Sequence, residues 1–132
     1  MPASLRPRAT PMADSRRTAE RRGRLAEFVA LWCLRFKGYR LLALRYKSPM
    51  GEIDLIMRRG EVTAFIEVKR RFSADASVES VTAFQARRIS AAARSWMGRD
   101  AIAARQFCRF DIVAVSPYQW PQHIENAFYG HD

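Results

Sequence analysis

The chain has 132 residues, 48% of them hydrophobic, and carries 23 Lys and Arg against 13 Asp and Glu for a net charge of +10. That length allows one domain, the apolar share is enough for a core and excludes a disordered chain, and the charge calls for a polyanionic partner. No apolar run approaches a membrane span and the N-terminus lacks a secretory apolar segment, so the expected location is the cytoplasm, with no membrane partner.

Residues 1–17 contain Pro, Ser and Arg without an apolar period, and read as a basic mobile tail ahead of a single domain over 18–132. From 18 to 37 the pattern is helical: Leu25, Phe28, Leu31, Trp32 and Phe36 recur at spacings of three and four, and Gly38 suits a C-terminal cap. Glu27 sits close to that stripe and reaches a site only if the helix packs over the hairpin that follows. Residues 40–46 alternate as a strand, and 47–51 turn the chain.

Segments 52–57 and 62–70 are apolar and rich in β-branched residues, joined by a Gly-containing turn. With Arg59 and Gly60 as loop residues, Asp54 pairs with Phe65 and Glu52 with Glu67. Glu52, Asp54, Glu67 and Lys69 then share one face, with diagonal neighbours about 7–8 Å apart. A slip of one residue would separate Asp54 from Glu67.

Residues 71–78 read as a polar loop, and a second helix follows over 79–97 with Val81, Phe84, Ile89, Ala92, Ala93 and Trp96 as its apolar face. Gln85 lies one turn from Val81 and Ile89 and faces inward, either to cap a neighbouring strand or loop or to bond a catalytic carboxylate or phosphate. Arg70 and Arg71 at the end of the third strand, with Arg87 and Arg88 on this helix, are placed to reach backbone phosphates. A fourth strand covers 107–115, where Asp111 is expected to pair with an arginine in a structural role, and a short edge strand covers 123–128. The outcome is an α/β fold with a mixed central sheet flanked by helices.

Cys33 and Cys108 lack metal-ligand spacing and read as reduced core thiols, while His123 and His131, both late in the chain, argue against a His-based metal site. By composition, about two acid-x-base triplets arise by chance, so Glu67-x-Lys69 alone is weak. Its weight comes from context. Asp is depleted from strands, yet Asp54 sits between Ile53 and Leu55. Glu67 sits between Ile66 and Val68, where a carboxylate is costly unless paired or metal-bound. The base is Lys in a chain with 20 Arg and 3 Lys, and Lys offers a compact charge where Arg offers a planar fork. Asp54 and Glu67, with the Val68 carbonyl, could hold Mg²⁺ or Mn²⁺, and Lys69 could orient a water or offset developing charge, which is the chemistry of phosphodiester hydrolysis.

The stretches RRGRLAEFVALWCLRFKGYRLLALRY, GEIDLI, FIEVKRR, FQARRISAAARSWM and CRFDIVAV resemble the YraN-like bacterial family of predicted endonucleases, within the PD-(D/E)xK nuclease superfamily. The resemblance covers residues 21–128 and implies a restriction-endonuclease-like αβββαβ core. Residue by residue it makes Asp54 and Glu67 metal ligands and Lys69 the signature lysine. It matches Glu27 to the acid that similar resolvases carry in the first helix, and Gln85 to a helix glutamine near the site. Ile53, not Pro, precedes Asp54. Likeness to archaeal Holliday-junction resolvases makes branched DNA the candidate substrate and a homodimer the expected assembly, since symmetric cutting takes two sites. The competing reading is a non-catalytic nucleic-acid-binding module on the same fold. An RNase ranks third, because no aromatic pattern resembles an RNA-binding signature.

Overall fold

The computed structural model describes residues 11–70, 81–100 and 107–128, with side chains in the first helix from Arg21 onward. The elements are α1 (Pro11–Phe36), β1 (Arg40–Ser48), β2 (Gly51–Arg59), β3 (Val62–Arg70), α2 (Ala83–Arg99), β4 (Phe107–Val115) and β5 (Gln122–Ile124). They form a five-stranded mixed sheet in the order β1-β2-β3-β4-β5. β3 and β4 are parallel, and the other neighbours antiparallel. This is the expected α/β architecture, a sheet with helices packed on it and consistent with a restriction-endonuclease-like core.

Helix α1 begins at Pro11, so residues 11–17 of the expected tail are helical, and residues 1–10 lie outside the described part. It ends in a Schellman-type cap, where the Gly38 and Tyr39 amides donate to the Arg35 and Leu34 carbonyls, each at 3.0 Å. Its buried face differs from the expected stripe. Ala26, Ala30, Cys33 and Leu34 face the sheet, whereas Leu25, Phe28, Trp32 and Phe36 are exposed, Phe36 by 82%. Small residues let the helix lie close to the sheet, and the large ones are left outside. Phe28, Trp32 and Phe36 form an aromatic row along the outer face, bordering an apolar groove that Trp120 and Pro121 also line.

Two apolar clusters hold the layers together. On one face, Ala30 and Leu34 of α1 meet Leu55, Met57, Ala64, Ile66 and Val113. On the other, Ile89, Ala92 and Ala93 of α2 meet Ile53, Ile56 and Phe65. Helix α2 starts at a capping box: Thr82 Oγ1 accepts from the Gln85 amide at 3.1 Å, and the Gln85 side chain accepts from the Thr82 amide at 3.3 Å. It therefore starts later than the expected residue 79, and Phe84 is exposed. Arg58, itself buried, donates to Thr63 and to Asp100, tying the end of α2 to the hairpin.

Asp111 has the expected structural role and more. Fully buried in β4, it accepts two bonds of 2.8 Å from Arg109, one from the Asn126 amide at 2.9 Å, and bonds His123 at 2.8 Å. Burial pushes its carboxyl upward, but the bonds from His123, Arg109 and Asn126 outweigh burial and hold it below the usual range. β5 is shorter than expected and is anchored by this cluster. Cys33 and Cys108 are thiols pushed up by burial, as expected of core thiols.

Candidate active site

The hairpin register departs from expectation by two residues. Gly60 and Glu61, not Arg59 and Gly60, form the loop, because Gly60 takes a φ of +58° that the first loop position needs. The ladder runs from Arg59↔Val62 to Leu55↔Ile66. Asp54 and Glu67 lie one step beyond its last pair, directly across from each other and not on a diagonal. A two-residue shift preserves the alternation of faces, so the two acids still meet.

Beyond Leu55 the site is a cleft between parting strands, not a flat alternating face. Consecutive residues Glu67, Val68, Lys69 and Arg70 all line it, with Asp54 of β2 and Gly23, Ala26 and Glu27 of α1, around a cavity of about 290 Å³. The Asp54 side chain stands where a ladder partner would be, and its Oδ2 accepts the Val68 amide at 2.8 Å. Val68 thus serves the site through its N–H, a role not anticipated beside the expected carbonyl.

The cleft concentrates negative charge in a partly dry place. Burial, then the neighbouring Glu67, push the Asp54 carboxyl up to about 8, against the Val68 hydrogen bond; Glu27 and Glu52 add to the rise. Glu67 is also raised by burial, with Lys69 and a hydrogen bond with Asp54 opposing it. Burial and the proximity of the two carboxylates thus favour a proton on this pair while the cleft holds no cation. Lys69 is buried, with its Nζ 3.4 Å from Glu67 Oε1. Glu27 is pinned by Arg45, whose Nε donates to Oε2 at 2.6 Å.

The structure thus brings together Asp54, Glu67, Val68, Lys69, Glu27 and Arg70. Gln85 is a correction: its side chain is used in the α2 cap, and it is not among the cleft's lining residues. Its inward position served the helix start. Arg87 and Arg88 are exposed on α2, Arg88 lying over the Phe84 ring, and do not line the cleft. Arg71 lies outside the described residues. Among the described residues, no three or more His, Cys, Asp or Glu side chains form a metal-holding cluster.

Two residues went unread in the sequence. Gly51 lets β2 and α2 touch, because a Cβ there would fall onto the Arg88 carbonyl; a lone Gly opening an apolar strand is a recognisable sign of such an approach. Arg45 gave no sign, because its importance depends on a backbone φ of +51°.

The chain matches the model of the uncharacterised protein family UPF0102 over residues 26–115. A UPF0102 protein of Mesorhizobium japonicum is 50% identical over 116 residues, covering 88% of this chain and 93% of the relative. One from Methylorubrum extorquens is 48% identical over 124 residues, covering 94% and 96%. The family match spans the strands and helices that build the cleft, from Ala26 at its wall to the end of β4, and this chain belongs to the uncharacterised protein family UPF0102.

Proposed function

We propose that this chain is a Mg²⁺- or Mn²⁺-dependent endonuclease of the PD-(D/E)xK kind that hydrolyses DNA phosphodiester bonds in the cytoplasm, with branched DNA as its substrate. The observation that carries the reading is the contact of two half-buried carboxylates, Asp54 and Glu67, beside a buried Lys69 in one cleft. The donors suit a hard divalent cation: both are carboxylate oxygens, and the Glu67 charge that pushes the Asp54 carboxyl up would be offset by a cation between them. A bound cation would lower the pKa of a water and polarise the scissile phosphate.

The remaining chemistry belongs to the chain. Asp54, fixed by the Val68 amide, and Glu67 would hold the cation. Lys69 places a positive charge where negative charge grows on the phosphate. Arg70 at the cleft, with Arg71, Arg87 and Arg88, would draw in the DNA backbone. Symmetric cutting of a four-way junction would take two copies.

A non-catalytic DNA-binding module is favoured by one feature, the exposed Arg87 and Arg88 of α2 that lie away from the cleft. The two readings separate in a cleavage assay on single-stranded, duplex, flap and four-way-junction DNA with Mg²⁺, Mn²⁺ or EDTA. The proposal expects metal-dependent cutting, strongest on the junction, lost in Glu67→Gln and Asp54→Asn, and reduced at least about tenfold in Lys69→Arg because guanidinium cannot replace the compact ammonium. Salt-sensitive binding with no cutting under any condition would replace the enzyme with the binding module.

A further inference from the structure

Arg45 lies in the middle of β1 with a φ of +51°, a left-handed backbone that a non-Gly residue in a strand adopts only under constraint. Its neighbours Leu44 and Tyr46 keep their places in the ladder, opposite Leu55 and Ile53, so the distortion is local to Arg45. The side chain it redirects ends on Glu27, with Nε 2.6 Å from Oε2, in an ion pair whose acid is only 15% exposed. Glu27 lines the cleft with Asp54 and Glu67, and Arg45 does not. The Arg45 side chain therefore reaches the cleft through the third carboxylate, while its backbone lies across the ladder from Asp54.

We propose that Arg45 is a positioning residue that fixes Glu27 in the wall of the cleft, so that this third carboxylate strengthens the pull on a divalent cation at Asp54 and Glu67. The inference rests on the cation-binding reading of the cleft. It makes a prediction opposite in sign to simple electrostatics. Deleting a positive charge near a cation site should tighten binding, whereas releasing a carboxylate that must be held in place should weaken it.

The test is calorimetric titration with Mn²⁺ alone, on wild type, Arg45→Gly, Glu27→Gln, the double variant and Glu67→Gln. Gly accepts the positive φ without strain, so Arg45→Gly should melt at or above the wild-type temperature. Arg45→Asn, also at ease there, repeats the test. The expected result is a loss in Mn²⁺ affinity of about five- to tenfold in Arg45→Gly, a similar loss in Glu27→Gln, and no further loss in the double variant, as residues acting in series behave. Unchanged or tighter binding in Arg45→Gly, or losses that add in the double variant, would overturn the role of Arg45 while Glu67→Gln still abolishes binding. Wild-type protein that binds no Mn²⁺, or a Glu67→Gln variant that binds normally, overturns the cleft reading and this inference with it.

Discussion

The surroundings of Asp54 pull its charge in opposite directions. Burial and Glu67 favour its protonated form, while the Val68 amide favours the anion, and the balance lies near pH 8. In an unfolded chain the same carboxyl titrates near 3.9. The folded protein therefore keeps a proton that the unfolded chain releases between about pH 4 and pH 8. By linkage, the metal-free protein has its full stability from this group below pH 4 and loses it as pH rises towards 8. An asparagine in place of Asp54 stays neutral, and its carbonyl can still accept from Val68. In EDTA, Asp54→Asn should melt about 5 °C above wild type at pH 8, an effect of about 2 kcal/mol, and near wild type at pH 4. That is less than the full span of the shift, because Glu67 titrates beside it. Parallel melting profiles across that range would show that Asp54 carries no such proton. This acid was legible because Asp between Ile53 and Leu55 in an apolar strand demands an explanation. The residue that orders its neighbour, Arg45, was not, because its backbone angle is set by the folded environment.

Elements were easier to read than the faces they bury. In α1 the three-and-four spacing of Leu25, Phe28, Leu31, Trp32 and Phe36 marks a helix correctly, yet of these only Leu31 packs against the described core and the other four are exposed. Periodicity reports an apolar stripe but not which of two stripes meets the sheet, and here Ala26 and Ala30 meet it because a close approach needs small residues. In the hairpin, the strands were legible from β-branched residues, while the register depended on which residue takes the turn's positive φ. Gln85 shows the same ambiguity: an inward amide near a helix start can serve a cap as well as a site. Gly51 controls how β2 meets α2. Gly51→Ala should push the Arg88 backbone away and destabilise the protein by about 1–3 kcal/mol, the scale of an overpacked contact. A chemical denaturation curve within about 0.5 kcal/mol of wild type would show that the two elements can part freely.

The molecule as a whole joins a cleft that gathers three carboxylates, Asp54, Glu67 and Glu27, to a chain with a net charge of +10. The proposed function assigns a polyanion to the body and a cation to the cleft. No helix among the described residues is long and apolar enough to cross a membrane. DNA binding should weaken steeply with salt, by about 10³-fold or more between 50 and 200 mM if six phosphates are neutralised. An affinity that changes less than about threefold across that range would remove the electrostatic basis of the account. The central claim is that a divalent cation takes the place of the proton favoured on the pair Asp54 and Glu67. Its most direct measurement is the proton count on Mn²⁺ binding at pH 7, from titrations in two buffers of different ionisation enthalpy. The account predicts release of about one proton per bound cation, absent in Glu67→Gln, as ligands that must ionise to bind require. Mn²⁺ binding with no proton released would contradict it.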